Sequence, residues 1–383
     1  MSRHTLIATA AFGLEAIVKR ELMQLGYEPL SVEDGRVRFA GDAVAIVRSN
    51  LWLRCADRVL LEIGEFEARD FGELFDRTHA LPWDQWCAAD AAFPVTGRSV
   101  KSQLHSVPDC QRIVKKAIVE RLKKTYHRDW FDESGPVYPV DVSLLRDRVT
   151  LTIDTSGAGL HKRGYRTLVG RAPIKETLAA ALVQLSYWNA SRPFADPCCG
   201  TGTIPIEAAL IGRNIAPGIH RVFVAEKWPQ LNASLWDAAR AEAQDSMRKR
   251  LDFRINGTDI DARALRLARQ HAAAAGVSDD IHFQHKPLAE FRTPHQYGCL
   301  ITNPPYGARI GELDEVEALY RELGRRFAEL DTWSAYVLTS HPRFERLFGR
   351  KADRRRKLYN ARIACTDFQY HGPRPPQPSA VDT

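Results

Sequence analysis

Asp196-Pro197-Cys198-Cys199-Gly200-Thr201-Gly202-Thr203 joins the run Arg192 to Asp196 to a helical run from Ile204 to Ile211. A Gly-x-Gly turn between a strand and a helix lets a ligand approach the backbone, and the helix start offers unpaired N–H groups to a carboxylate. Pro205 stands where a dinucleotide fingerprint would carry its third glycine, and no lysine follows for a phosphate loop. Outward from this turn, strands at Phe253 to Thr258, Ile281 to His285, Gly298 to Thr302 and Trp333 to Thr339 alternate with helices at Asp261 to Ala275 and Leu313 to Leu330. The alternation predicts an α/β fold with a mostly parallel, doubly wound sheet. Arg356 to Tyr359 and Arg362 to Tyr370 predict an antiparallel hairpin at its edge, and the Pro-rich stretch 372–383 reads as a disordered tail.

The preceding chain divides by pattern. Residues 1–65 read β-α-β-β-α-β, an α+β ferredoxin-like arrangement. Residues 66–155 follow with a basic helix opened by Pro108-Asp109, whose apolar stripe (Ile113, Ala117, Ile118, Leu122) leaves Arg112, Lys115, Lys116, Lys123 and Lys124 elsewhere on its surface. The glycine-rich stretch 156–171 reads as a linker, and 172–371 holds the α/β domain. Trp228 and the helix from Leu231 to Arg250 form an insertion expected to cover the sheet.

Two further constellations carry chemistry. Asp259, ending the strand after the glycine turn, suits the two hydroxyls of a ribose, with Ile260 beside it; Asp261 reads first as a helix N-cap. An adenosine ligand without a pyrophosphate, next to a Gly-x-Gly turn, suggests S-adenosylmethionine. Asn303-Pro304-Pro305-Tyr306-Gly307 ends the strand Gly298 to Thr302. The amine of a nucleobase is a poor nucleophile because its lone pair is delocalised into the ring. Two acceptors, the Asn303 side-chain oxygen and the Pro304 carbonyl, can hold its hydrogens while the nitrogen attacks a methyl group, and Tyr306 can stack on the extruded base. This chemistry serves adenine and guanine alike.

Composition bounds the partners. The 383 residues are 44% hydrophobic and 26% charged, which excludes wholesale disorder. No apolar run approaches the roughly 18–20 residues that span a bilayer, and Met1 to Ala11 lacks a signal-peptide layout, so a cytoplasmic protein without a membrane partner is expected. Seven cysteines without a C-x-x-C pair predict reduced thiols and no metal. The net charge of +7 is unevenly spread: the windows 98–128, 162–175 and 343–357 carry +18 together, leaving −11 for the rest. Clustered Lys/Arg predicts a polyanionic partner, with Lys101, Arg112, Lys115, Lys116, Lys123, Lys124, Lys162, Arg163 and Arg166 as candidate contacts. Glu176 suits either the cofactor pocket or a helix start.

In this order the motifs resemble the class I S-adenosylmethionine-dependent RNA methyltransferases that carry a THUMP RNA-binding module, and within them the RlmL-type 23S rRNA guanine-N2 methyltransferases. The resemblance covers residues 3–371 and includes Lys101-Ser102-x-Leu104, Gly159 to Arg166, Ala172 to Thr177, Ile206-Glu207-Ala208-Ala209, Arg213 to Gly218 and Glu226-Lys227-Trp228. It implies a Rossmann-like methyltransferase domain behind ferredoxin-like and THUMP regions. Asp196, Pro197, Cys198, Gly200, Thr201, Gly202 and Thr203 would surround the methionine part of the cofactor. Asp259 and Ile260 would contact the ribose side, and Asn303, Pro304 and Tyr306 the target amine, with Asn303 also adjoining the cofactor. Where relatives often carry an acid for adenine, this chain reads His285-Lys286-Pro287-Leu288, so Pro287 and Leu288 would serve through their backbone. The implied activity is methylation of the guanosine N2 amine in RNA, with 23S rRNA or a pre-ribosomal particle as partner. Alternatives are a tRNA guanine-N2 enzyme, a DNA adenine-N6 enzyme, and a non-enzymatic RNA-binding ribosome assembly factor. Some relatives are fused to a second methyltransferase, which is not expected here.

Overall fold

The computed structural model describes residues 3–166, 174–307 and 313–376. These fall into two compact units. One takes the described residues up to Ala10 with Val18–Leu160 and Gly218–Glu242; the other takes Ala11–Ile17, His161–Pro217 and the described residues from Ala243 onward.

The first unit is built on β1 (His4–Ala10), α1 (Glu15–Gln24), β2 (Pro29–Glu33), β3 (Arg36–Gly41), α2 (Ala43–Trp52), β4 (Ala56–Glu67), α3 (Phe71–His79), β5 (Val95–Val100), α4 (Val107–Tyr126), β6 (Val140–Leu145) and β7 (Arg148–Asp154). The sequence suggested two separate regions here, yet one sheet runs through both, in the order β2-β3-β1-β4-β7-β6-β5. The join is β4, twelve residues long, which pairs antiparallel with β1 and with β7. On α4 the buried stripe is Cys110, Val114, Ala117, Ile118 and Leu122, so the helix packs on one side only.

Trp228 and the helix from Leu231 to Arg250 were expected to cover the other sheet, but Gly218–Glu242, with Trp228 and most of that helix, is built into this unit. The Trp228 ring stacks on Tyr138 at 4.6 Å, and its indole N–H donates to the Val137 carbonyl at 2.9 Å. Trp228 is fully buried, and burial of one such aromatic ring contributes on the order of 1.5–3 kcal/mol. Apolar rings find a core wherever one is complete, irrespective of their place in the chain.

The second unit holds α5 (Glu176–Leu185), β8 (Phe194–Asp196), α6 (Thr203–Gly212), the end of α7 (Ala233–Asp245), β9 (Ile255–Asp259), α8 (Ala262–Ala274), β10 (Ile281–His285), β11 (Cys299–Thr302), α9 (Leu313–Ala328), β12 (Ser334–Thr339), α10 (Phe344–Phe348), β13 (Arg354–Asn360) and β14 (Ile363–Tyr370). Its sheet order is β10-β9-β8-β11-β12-β14-β13; the first five strands are parallel, and β14 and β13 form the antiparallel edge. The fully buried short strands β8 and β11 suit a sheet covered on both faces. Phe344, Phe348, Phe368 and Tyr370 close a core between α9, α10 and the edge hairpin.

The strand order reverses between β8 and β11. In doubly wound sheets that reversal opens a crevice at the carboxyl ends of the two strands, and ligands bind there. Both motif loops leave the sheet at this point.

Candidate active site

The glycine turn follows β8, with Gly200 and Gly202 both at positive φ (52° and 83°). A Cβ on Gly202 would lie 2.8 Å from the Phe283 ring and 3.0 Å from the Ala268 methyl, so a side chain there would push α6 off the sheet. A Cβ on Gly200 would meet nothing within 4 Å. The turn is thus packed behind and open in front, which suits a ligand lying against its backbone. Thr203, predicted beside the ligand, is buried at the first position of α6, and Pro197 is also buried. Cys198 and Thr201 are half-buried.

Asp259 organises the loop from the next strand. One carboxylate oxygen accepts from the Gly200 N–H at 2.8 Å and the other from the Asp261 N–H at 2.8 Å. Asp261 caps α8, accepting from the N–H groups of Arg263 and Ala264. Ile260 is 69% exposed at the same strand end, an apolar surface available to a flat ring. Pro287 is exposed, whereas the Leu288 side chain is buried in the core beside Phe291 and does not face a ligand. The open glycine turn, a carboxylate beside it and an exposed apolar side chain together fit S-adenosylmethionine.

Asp196 ends β8 fully enclosed. One of its oxygens accepts from the Thr302 hydroxyl at 2.7 Å and from the Cys198 N–H at 3.2 Å. Burial is the chief cause that pushes its carboxyl up to about 7, and nearby Asp259 adds to the shift. Burial likewise holds the Cys198 and Cys199 thiols well above their usual range, so neither is poised as a nucleophile.

Asn303 and Tyr306 leave β11 on the other side of the crevice. Tyr306 donates its hydroxyl hydrogen to the Asn303 side-chain oxygen and accepts from the Asn360 amide at 3.4 Å. Burial is the main cause raising the Tyr306 phenol, which keeps its O–H intact. Pro304 is buried, and the Pro305 carbonyl accepts from the Tyr320 hydroxyl at 2.7 Å, which fixes the turn. Thr302, Tyr320 and Asn360 were missed in the sequence; a buried threonine one residue before Asn303 was the one readable hint, since a strand-end hydroxyl needs a partner.

The predicted RNA contacts divide. Arg163 is a correction: its side chain is 2% exposed and its guanidinium pairs with the wholly buried Glu207 at 3.4 Å. The Tyr165 hydroxyl donates to the same carboxylate at 3.1 Å. Burial of this cluster removes Arg163 from any external phosphate. Arg166 is also drawn inward, pairing with Glu176 at 3.0 Å and donating to the Ile174 carbonyl at 3.2 Å. Residues 161–166 are therefore part of the second unit's packing instead of a loose linker; 167–171 of that stretch lie outside the described residues, as do 377–383 of the tail. In the third basic window Arg343 pairs with Glu317, Arg350 with Asp353 and Arg355 with Glu345.

On α4, Arg112 pairs with Asp109, Lys115 with Glu133 and Lys123 with Glu120. Lys101, Lys116, Lys124 and Lys162 are exposed. A cavity of about 1120 Å³ crosses the first unit's sheet face, but five arginines and five acids share its lining, so it offers an anion no net attraction. Among the described residues no helix is long and apolar enough to cross a membrane.

Known proteins resemble this chain over most of its length. A family model described as RMKL-like, methyltransferase domain, matches residues 163–369; an RlmL ferredoxin-like domain model matches 5–60 and a THUMP domain model 68–154. A Bacillus subtilis (strain 168) protein named "Putative RNA methyltransferase YpsC" is 51% identical over 372 residues, 97% of this chain and 96% of that protein. A Listeria monocytogenes structure named "a predicted N6-adenine-specific DNA methylase" superposes with a TM-score of 0.93 at 53% identity over 97% of each chain. SMU.472, "a putative methyltransferase complexed with SAH", superposes with a TM-score of 0.93 at 45% identity, over 98% of this chain and 100% of that one.

Proposed function

Because this chain belongs to the RMKL-like and RlmL-like methyltransferase family, we propose that it methylates the exocyclic N2 amine of a guanosine in RNA, with 23S rRNA as the substrate. The coarser class is an S-adenosylmethionine-dependent RNA methyltransferase carrying a THUMP domain. The observation that supports the amine as target is the Asn303 side-chain oxygen, followed by Pro304, where β11 opens into the crevice opposite the Gly200 turn.

Bound S-adenosylmethionine would supply an electrophilic methyl group on a sulfonium centre. The chain's own task is then to present a weak nucleophile. Asn303 and the Pro304 carbonyl would accept the two amine hydrogens, which draws the nitrogen lone pair out of conjugation and aims it. Tyr306 would stack on the base once it has left its helix, where an unpaired or loop guanosine costs least to extrude. Asp196, Pro197, Cys198, Gly200 to Thr203, Asp259, Ile260, Pro287 and Leu288 would hold the cofactor, with Asn303 adjoining it.

A DNA adenine-N6 reading shares the Asn303 chemistry and takes weight from the name of the Listeria relative. The THUMP match over 68–154 favours RNA. Incubation with labelled S-adenosylmethionine and separated rRNA, tRNA and DNA pools tests both: label is expected in rRNA and, after nuclease digestion, in N2-methylguanosine. Label confined to tRNA or DNA moves the substrate, N6-methyladenosine refutes the base, and label in none refutes the enzyme.

A further inference from the structure

The segment Ala11–Ile17, the loop after β1 with the start of α1, belongs to the second compact unit, where Gly13 lies on the edge strand β13. Gly13 makes this possible. Its φ is +92°, and a Cβ there would sit 2.9 Å from the Lys357 carbonyl oxygen and 3.3 Å from the Leu358 side chain. The loop holds Phe12 against Tyr359, edge to face, with ring centroids 5.8 Å apart and planes at 78°. The Lys357 ammonium lies over the same Tyr359 ring at 5.5 Å.

Phe12 nevertheless keeps 49% of its surface exposed, and Lys357 is exposed as well. An aromatic pair with a cation at the rim of a nucleobase site has the composition of a single-strand stacking platform. Its position relative to the chemistry follows from strand alternation. Lys357 and Tyr359 share one face of β13, Leu358 and Asn360 the other, and Asn360 donates to the Tyr306 hydroxyl. β13 runs in the same direction as β11, so the platform, on the face opposite Asn360, lies at the same carboxyl end of the sheet as Asn303, its backbone one residue, about 3.8 Å, from the group that touches Tyr306.

We propose that Phe12 and Tyr359 stack the unpaired nucleotide flanking the target base, with Lys357 on its phosphate. The proposal rests on the RNA methyltransferase reading and deepens it: the substrate would be a single-stranded or looped segment at least two nucleotides long at the site. The alternative use of the pair, a clamp holding the loop to the sheet, is separated by experiment.

Full-length Phe12→Ala, Phe12→Trp, Tyr359→Ala and Lys357→Gln chains are compared for binding to a 23S rRNA transcript in the presence of S-adenosylhomocysteine, over a salt series. Thermal midpoint and S-adenosylhomocysteine affinity are measured alongside. Each alanine is expected to weaken RNA binding about tenfold with cofactor affinity kept, as loss of one base stack would. Phe12→Trp should restore binding, and Lys357→Gln should lower the salt slope by about 0.7, one phosphate contact on a single strand. RNA affinity unchanged by both alanines, or lost only in step with thermal midpoint and cofactor affinity, overturns the platform and leaves a clamp. Guanosine methylation retained beside unchanged binding sinks the platform alone, whereas a wild-type chain that binds no transcript sinks both readings.

Discussion

The Tyr306 hydroxyl donates to the Asn303 side-chain oxygen, so the acceptor assigned to the substrate amine is engaged before any base arrives. That oxygen keeps a second lone pair for an incoming amine, while the Asn360 amide donates to the Tyr306 hydroxyl from its other side. Tyr306→Phe removes the first donor but keeps the ring, and its kcat/KM is expected within about threefold of wild type. Tyr306→Ala also removes stacking, worth about 1–3 kcal/mol, and should lose roughly ten- to hundredfold. Steady-state kinetics on RNA separate them; equal damage from both would give the hydroxyl itself a part in the reaction.

Asn303→Ala deletes one of two acceptors aimed at the amine. A positioned polar group of this kind is worth about 10²–10³ in rate, so transfer should fall by that factor. Calorimetry with S-adenosylhomocysteine should show affinity within a few-fold of wild type, since the turn around Gly200 and Asp259 is untouched. Loss of cofactor binding instead would make holding the cofactor the main task of Asn303 and would put the amine site elsewhere.

How far the sequence could be read follows from what each signal depends on. The turns at Asp196 to Thr203, at Asp259 and at Asn303 to Tyr306 were legible because β8, β9 and β11 are neighbours in any doubly wound sheet of this order. Local pattern and topology together bring them to one crevice. Arg163 was misread for the opposite reason: its partner Glu207 lies 44 residues away on α6, and charge counting cannot see burial. Trp228 was misplaced likewise, because its partner Tyr138 precedes the domain in which Trp228 lies in sequence. Phe12 on Tyr359 is a contact across 347 positions that no periodicity announces.

Arg163→Ala leaves Glu207, a carboxylate with no exposure at all, without its counter-charge and with only the Tyr165 hydroxyl to bond it. Breaking a buried pair from one side costs about 3–5 kcal/mol. The expected result is a clear fall in thermal midpoint, with the salt dependence of RNA binding unchanged for the molecules still folded. A flattened salt slope at unchanged stability would return Arg163 to the RNA surface.

The lysines of α4 differ in what they have left to offer a phosphate. Lys115 and Lys123 are paired with Glu133 and Glu120, whereas Lys116 and Lys124 are exposed. Lys116→Gln with Lys124→Gln should cut the slope of log affinity against log salt by about 1.4 to 1.8, two phosphate contacts. The Lys115 and Lys123 double change should cut it by less. Filter binding across a salt series reads both, and equal slopes in all variants would make this helix ordinary surface.

Asp196 gives the protein a pH dependence whose sign is fixed by burial. Its carboxyl is pushed from an ordinary value of 3.8 up to about 7, so between these limits the folded chain binds a proton that the unfolded chain has released. Stability from this group therefore falls as pH rises from about 4 to 7 and is level above. Asp196→Asn removes the ionisation while leaving an oxygen for the Thr302 hydroxyl at the same place. The thermal midpoint of the variant minus that of wild type should accordingly climb from pH 4 to 7 and then flatten. The ionised form has a use: the proposed cofactor carries a cationic amino group, so wild-type affinity for S-adenosylhomocysteine is expected to rise through the same window, and the asparagine variant should lose that rise. A difference in midpoint that stays constant with pH would mean that Asp196 ionises as freely as an exposed carboxylate, and that the enclosure around it is looser than its bonds to Thr302 and Cys198 imply.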